Sequence, residues 1–267
     1  MNIKDDCITG LAAFLLLGGS CAALADTTDN GRFQPALTPQ APPKARPFSL
    51  QDVKLLDGFF LDGQKVSAEY LLSLEPDRFL AQFHSNAGLE PKAKRYEGWE
   101  SMSIAGHSCG HYLSACALAY ASTGNPEFLK RVNYIVSEFT ECQKAKNSGL
   151  ISAIPGGEKC MDELRSGVVR SEGFNLNGIW VPFYTYHKQL AGLRDAYRIC
   201  GNREALEVAQ KFADYLWDAV KGLDEEKMQR VLFCEHGGMN EVLADLYADT
   251  GEVRYFSAAR RFHHRAI

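Results

Sequence analysis

The sequence predicts an all-α fold built from helical hairpins. Three observations carry that prediction. First, Tyr120-Ala-Ser-Thr-Gly124-Asn125, Tyr197-Arg-Ile-Cys-Gly201-Asn202 and Tyr247-Ala-Asp-Thr-Gly251-Glu252 repeat one phrase, each closing an apolar run and opening another. Second, apolar residues on both sides of each phrase recur at helical spacing, and no convincing alternating strand lies between them. Third, a histidine precedes each phrase by nine, ten or eleven residues: His111, His187 and His236. Hairpins with a histidine near the start of the first helix suggest a ring of helices around a polar pocket. Each residue turns a helix by about 100°, so the three histidines are similar in place without being strictly equivalent.

The chain begins with a targeting candidate. Lys4 precedes an apolar stretch from Ile8 to Leu17, and Ala23-Leu24-Ala25 is an A-x-A-like cleavage site. Residues 1–25 therefore read as a signal peptide, too short to span a bilayer comfortably, and imply export. Residues 26–47 are rich in Thr, Pro, Ala and Gln and read as a flexible leader. Residues 48–267 form the domain. With 46% hydrophobic residues the chain can bury a real core, and a net charge of -4 gives no reason to expect nucleic acid or an anionic membrane as partner.

Within the domain, Leu50 to Gly58 reads as a short strand or extended piece ending in a turn. Phe59 to Phe83 reads as helix, with Pro76 bending or ending it. Residues 87–99 are a loop carrying aromatics. Leu113, Cys116, Ala117 and Tyr120 form one apolar helix face, Gly124 stops it, and Pro126 suits the first position of the partner helix. A long glycine-rich loop, residues 147–177, follows; a loop of that length is usually functional. Tyr186, Leu190, Leu193 and Tyr197 line the first helix of the second hairpin, and Leu206, Ala209, Ala213 and Leu216 line its partner. The third hairpin starts at Gly237-Gly238 and turns at Gly251. The intervals of about 77 and 50 residues between phrases argue against a solenoid with a period of roughly 34 residues. The last helix runs to Ile267 without a glycine cap, a proline or a polar tail. The expectation is a ring truncated after about half of its hairpins.

The candidate site residues sit at the mouths of these helices. His187 lies in Trp180-Val-Pro-Phe-Tyr184-Thr-Tyr186-His187, and aromatics beside a histidine suit a sugar pocket. Rings stack on the apolar faces of sugars, and imidazole bonds hydroxyls as donor or acceptor. His236 lies in Cys234-Glu235-His236-Gly237-Gly238, where the glycines let backbone approach a ligand closely. Glu235 and Glu241 are a candidate acid/base pair, although a capping or solvent-facing role suits Glu241 equally. His107 and His111 are spaced for one helix face. No Glu follows His107, so hydroxyl binding is preferred to metal binding. Trp99 in the aromatic loop completes the candidate substrate-binding set. His84, His263 and His264 read as ordinary surface or partly buried residues. After residue 25 the cysteines are Cys109, Cys116, Cys142, Cys160, Cys200 and Cys234, with no C-x-x-C spacing. Cys109 and Cys116 lie two turns apart on a helix, about 10.5 Å of rise and beyond disulfide reach. Buried thiols are the reading for all six.

Five stretches together resemble the catalytic domain of the β-L-arabinofuranosidases of glycoside hydrolase family 127 and its relative family 146. They are Asp52-Val-Lys-Leu-Leu-Asp-Gly58, Tyr70-Leu-Leu-Ser-Leu-Glu-Pro-Asp-Arg78, Gly106-His-Ser-Cys-Gly-His-Tyr-Leu-Ser-Ala115, Tyr184-Thr-Tyr-His-Lys-Gln-Leu-Ala-Gly-Leu193 and His236-Gly-Gly-Met-Asn-Glu241. The resemblance implies an (α/α)6 barrel, here incomplete. It implies a retaining hydrolase that removes arabinofuranose from plant-derived glycans. It also implies a zinc ion held by three cysteines and a glutamate, one cysteine being the nucleophile, with a second glutamate as general acid/base. The E-x-C and C-C motifs that carry those ligands find no match before Ile267. No catalytic or metal residue is therefore assigned here, and zinc is expected in the full-length family with ligands downstream. What the resemblance does carry over is substrate contact at His187 and His236, with the His107/His111 segment lining the same cavity. Two rivals stand beside it: a sugar 2-epimerase, a largely cytosolic class on a similar barrel, and a non-enzymatic helical-repeat binding protein.

Overall fold

A computed structural model of the chain describes residues 35–38, 41, 44, 45 and 47–266. The expected signal peptide and most of the expected leader lie outside the described residues. Among those described, the fold is helical, with ten α-helices and one small sheet. The helices are α1 (Phe59–Ser73), α2 (Pro76–Ala87), α3 (His107–Thr123), α4 (Pro126–Lys146), α5 (Gly157–Arg165), α6 (Pro182–Cys200), α7 (Arg203–Val220), α8 (Glu225–Phe233), α9 (Met239–Thr250) and α10 (Val253–Arg261). None is long and apolar enough to cross a membrane.

The repeated phrase has a physical account. Its glycine is the left-handed residue that ends the first helix, at φ 70° for Gly124, 69° for Gly201 and 76° for Gly251. In each case the glycine N–H donates to the carbonyl of the phrase's tyrosine, over 2.8, 3.0 and 2.7 Å. The next residue starts the second helix. Asn125 Oδ1 accepts from Glu127 N at 3.0 Å, and Asn202 Oδ1 accepts from Ala205 N at 2.9 Å. Glu252 takes that place in the third phrase and makes no such cap. The three hairpins α3/α4, α6/α7 and α9/α10 thus follow from local chemistry.

Packing arranges them as an arc. The first helices lie side by side, α3 against α6 and α6 against α9, while α4 packs on α7 behind them. The α3–α6 crossing is the tightest, because two glycines meet there. A Cβ on Gly110 would stand 2.3 Å from Lys188 O, and one on Gly192 would stand 2.5 Å from Gly110 O. Both are backbone atoms and cannot rotate away. A single continuous core runs beneath, from Phe83 and Phe139 through Phe183 and Tyr186 to Phe212 and Phe262.

The structure corrects the sequence reading in five places. Leu50–Asp52 is a 3-10 turn capped by Ser49, so the expected extended piece begins only at Val53 before the turn at Asp57-Gly58. Helix α10 ends at Arg261 rather than running to Ile267, whereas Pro76 does end the helix begun at Phe59, because it demands an extended predecessor at Leu74-Glu75. The expected 147–177 loop contains α5 and the strands β1 (Ser171–Glu172) and β2 (Asn175–Leu176), which with β3 (Ile179–Trp180) form an antiparallel sheet in the order β1-β2-β3. Two-residue strands are too short to show alternation. Helix α8, started by the Asp224 cap on Lys227 N, is absent from the sequence expectation. Finally, His84 is not a surface residue. It is buried on α2 along with Phe79, Leu80, Phe83 and Ala87, and its Nε2 lies 2.8 Å from Glu138 Oε2. Lys92 holds the other carboxylate oxygen at 2.7 Å.

Candidate functional site

The site is built where α3 and α6 begin. Gly106, at φ 96°, opens α3 in a conformation and a space that only glycine fits: a Cβ would meet Gln189 Nε2 at 2.7 Å and Phe83 Cζ at 2.8 Å. No residue of the helix caps its own N-terminus. The buried carboxylate of Glu100 does so instead, accepting from Gly106 N at 2.7 Å and from Ser108 N at 3.1 Å. The same carboxylate lies 3.3 Å from His107 Nδ1, which is also 2.9 Å from Ile104 O. His107 is thereby held from below. His111 stands one turn on and is exposed, its ring edge-on to that of His107 at 6.1 Å.

Helix α6 supplies the facing wall. It starts at Pro182 after Val181, a buried β-branched residue at φ 42° and ψ 52°. That sparsely populated conformation turns the chain sharply from β3 into the helix. Trp180 at the end of β3 meets Trp99 with ring centroids 5.4 Å apart, and Tyr184 tilts against His107 at 6.3 Å. With Phe174 and Glu235 these residues line a cleft of about 360 Å³. Trp99 is 57% exposed, high for an indole, and it also borders a second, more apolar groove of about 430 Å³ with His111, Tyr70 and Tyr96.

His187 lies one turn beyond Tyr184 and lines a separate pocket of about 210 Å³ with Arg194, Asp195, Glu241 and Asp245. Its Nδ1 accepts from the backbone N–H of Gly238 at 3.1 Å. Burial pushes its pKa down to about 4, with Lys188 and His111 adding to the effect. Gly237 and Gly238 do allow a close backbone approach, but the group approached is His187. A Cβ on Gly237 would stand 2.8 Å from its Nδ1, and one on Gly238 would stand 2.9 Å from its Nε2. Arg194 closes the floor of this pocket, bonded to Asp245 and to the buried Asp249, each at 2.7 Å. Burial raises the carboxyl pKa values of Asp195 and Asp245.

The expected residues therefore divide. Trp99 and His107 share one cleft, His111 lines the adjoining groove, and His187 lines the pocket beyond Tyr184. His236 precedes α9 rather than starting it, and lies outside these three cavities. Its Nδ1 is 3.4 Å from Cys234 O, and its ring rests near His264 and Phe262 at 6.2 and 6.3 Å. Glu235 and Glu241 face different cavities, with the Gly237-Gly238 turn against His187 between them, so they do not flank one bond as an acid/base pair. The sequence reading missed Glu100. Its bonds reach six and eight residues along the chain, and no local cap motif marks such a contact.

The zinc–thiolate centre implied by the resemblance is not built from these residues. Among the described residues no three His, Cys, Asp or Glu side chains come together as a metal site. The six thiols are dispersed and unpaired by disulfides, five of them buried. Burial pushes the thiols of Cys116, Cys200 and Cys234 up to about 11 and those of Cys142 and Cys160 up to about 12.

No curated protein matches the chain. The family model described as Beta-L-arabinofuranosidase, GH127 catalytic domain, matches residues 52–267. That span takes in every helix from α1 to α10 and each wall of the cleft, and on that ground the chain belongs to the glycoside hydrolase family 127 β-L-arabinofuranosidase catalytic-domain family.

Proposed function

We propose that the cleft between Trp99 and Trp180 binds the arabinofuranose unit of a plant-derived glycan, and that this chain contributes a substrate-binding wall of an exported β-L-arabinofuranosidase-like hydrolase. One observation carries the reading: an aromatic wall of two indoles and Tyr184 stands beside His107 and Glu235 in a single open cleft. Indole faces cover the apolar side of a sugar ring, while imidazole and carboxylate take its hydroxyls. His111 in the adjoining groove and His187 in the adjoining pocket serve as further hydroxyl contacts of the same substrate, and His236, which lines none of these cavities, is left out of that set. The signal-like N-terminal residues support export. The described residues contain no zinc set, so the bond-breaking groups are not assigned among them, and no step is routed through the metal.

Two measurements test this. Titrating the chain with methyl β-L-arabinofuranoside by calorimetry gives saturable binding, and Trp99→Ala weakens it about three- to tenfold. Absence of binding by the unaltered chain sinks the proposal. The purified chain leaves an aryl β-L-arabinofuranoside unhydrolysed; zinc-dependent turnover would show that the reacting groups are present after all.

A further inference from the structure

His107 and His187 line adjoining cavities but are held in opposite ways. His107 Nδ1 faces only acceptors, the carbonyl of Ile104 at 2.9 Å and the Glu100 carboxylate at 3.3 Å. A nitrogen between two acceptors carries the proton. Its Nε2 is then a lone pair, and the Ser108 hydroxyl at 3.4 Å is a long contact that leaves it open to a closer donor. His187 Nδ1 instead receives the Gly238 N–H at 3.1 Å. A nitrogen facing a backbone donor must be the lone pair, so in the neutral ring the proton resides on Nε2.

The two rings serve adjoining spaces. Tyr184 and Glu235 line the cleft of His107, while His187 and Glu241 line the next pocket. Both cavities are thus bounded by the same two elements, α6 and the segment from residue 235 into α9. Tyr184 and His187 are three residues apart on α6 and share a helix face.

We infer that His107 and His187 are locked in opposite neutral tautomers, His107 presenting an acceptor and His187 a donor, so that adjoining cavities read sugar hydroxyls of opposite polarity. Glu100 and the Gly238 N–H are the positioning groups. Glu100 does not line the His107 cleft, and Gly238 does not line the His187 pocket. The consequence is a discrimination between hydroxyls: the one at His107 must donate, the one at His187 must accept. This rests on the sugar-binding reading above for its ligand, but not for the tautomers.

The experiment is a two-bond 1H–15N correlation spectrum of the 15N-histidine-labelled chain at neutral pH, with His107→Gln and His187→Gln used to assign the signals. The expected result is the Nδ1–H form at His107 and the Nε2–H form at His187. The same tautomer at both, or averaging at both, overturns the inference. Glu100→Gln increases the minor Nε2–H form of His107 about threefold or more and leaves His187 unchanged; an unchanged His107 ratio removes Glu100 from the role. Adding methyl β-L-arabinofuranoside then shifts both Nε2 resonances. Opposite tautomers without any sugar-induced shift would uphold the tautomer lock and overturn the sugar-binding reading alone.

Discussion

Helices α1 and α3 are close in length and both rich in apolar residues, yet they end in opposite environments. Helix α3 buries Cys109, Gly110, Tyr112, Leu113, Cys116, Ala117 and Ala121. Helix α1 buries none of its residues and leaves Phe59, Phe60, Val66 and Tyr70 exposed. The difference lies in side-chain size at the point of contact. Small residues on α3 let its backbone meet that of α6 at Gly110 and Gly192, so the whole helix is drawn into the core. Helix α1 is attached mainly at its last turn and through polar bonds: Tyr112 Oη donates to Leu71 O at 3.0 Å, and Arg131 donates to Leu72 O at 2.7 Å. Apolar content alone therefore does not decide burial.

The comparison is broken most directly at the glycine crossing. Gly110→Ala places a methyl group against the Lys188 carbonyl and should cost about 3 kcal/mol or more in urea unfolding, since backbone must move. A loss below about 1 kcal/mol would mean that the helices are not in backbone contact.

The next largest effect is the pH dependence that burial imposes on His187. Its folded pKa of about 4 lies below the ordinary value of 6.5. The unfolded chain therefore binds the proton more readily between those two values. Stability is fully present above pH 6.5 and falls as pH drops towards 4, by on the order of 2 kcal/mol. Urea midpoints across that range should flatten in His187→Gln relative to the unaltered chain. Parallel curves would show that His187 is solvated in the folded state.

Smaller effects separate the hairpin turns. Asn202→Ala removes a helix cap and should cost about 1 kcal/mol, whereas Glu252→Asn adds the cap that the third phrase lacks and should stabilise by several tenths of a kcal/mol. Thermal midpoints moving in opposite directions would bear this out. Smallest of all is Phe60→Ser on the exposed face of α1, expected to stay within about 0.5 kcal/mol in the same urea assay; a larger loss would place α1 in the core.

The extent to which the molecule was legible follows from the range of each interaction. The hairpin turns were readable because a helix-ending glycine and a proline at a helix start act within a few residues, while the Asn125 and Asn202 caps, equally local, appear with the structure. The small sheet was not readable, because two-residue strands are too short to show a period, whereas α8 carries an Asp224 cap and Met228, Val231 and Leu232 at helical spacing and was simply passed over. His84 was misread because its burial depends on Glu138 and Lys92, far along the chain or across a loop. Of the site, the aromatic and histidine content at the mouths of α3 and α6 was visible, but its division into three cavities was not. His236 shares the sequence pattern of His187 and still packs elsewhere, against Phe262 and His264.

The sequence by itself determined the three hairpins, their turns and the all-α class, because backbone hydrogen bonds and caps are local. Only the tertiary structure decided which helices touch, which histidines share a cavity and which partner the Nδ1 of His107 and of His187 meets. The Gly238 N–H reaches His187 across 51 residues of chain, and the Gly110–Gly192 crossing exists only once two helices have met. Contacts of that range are settled by packing and close approach, which no periodicity in the sequence records.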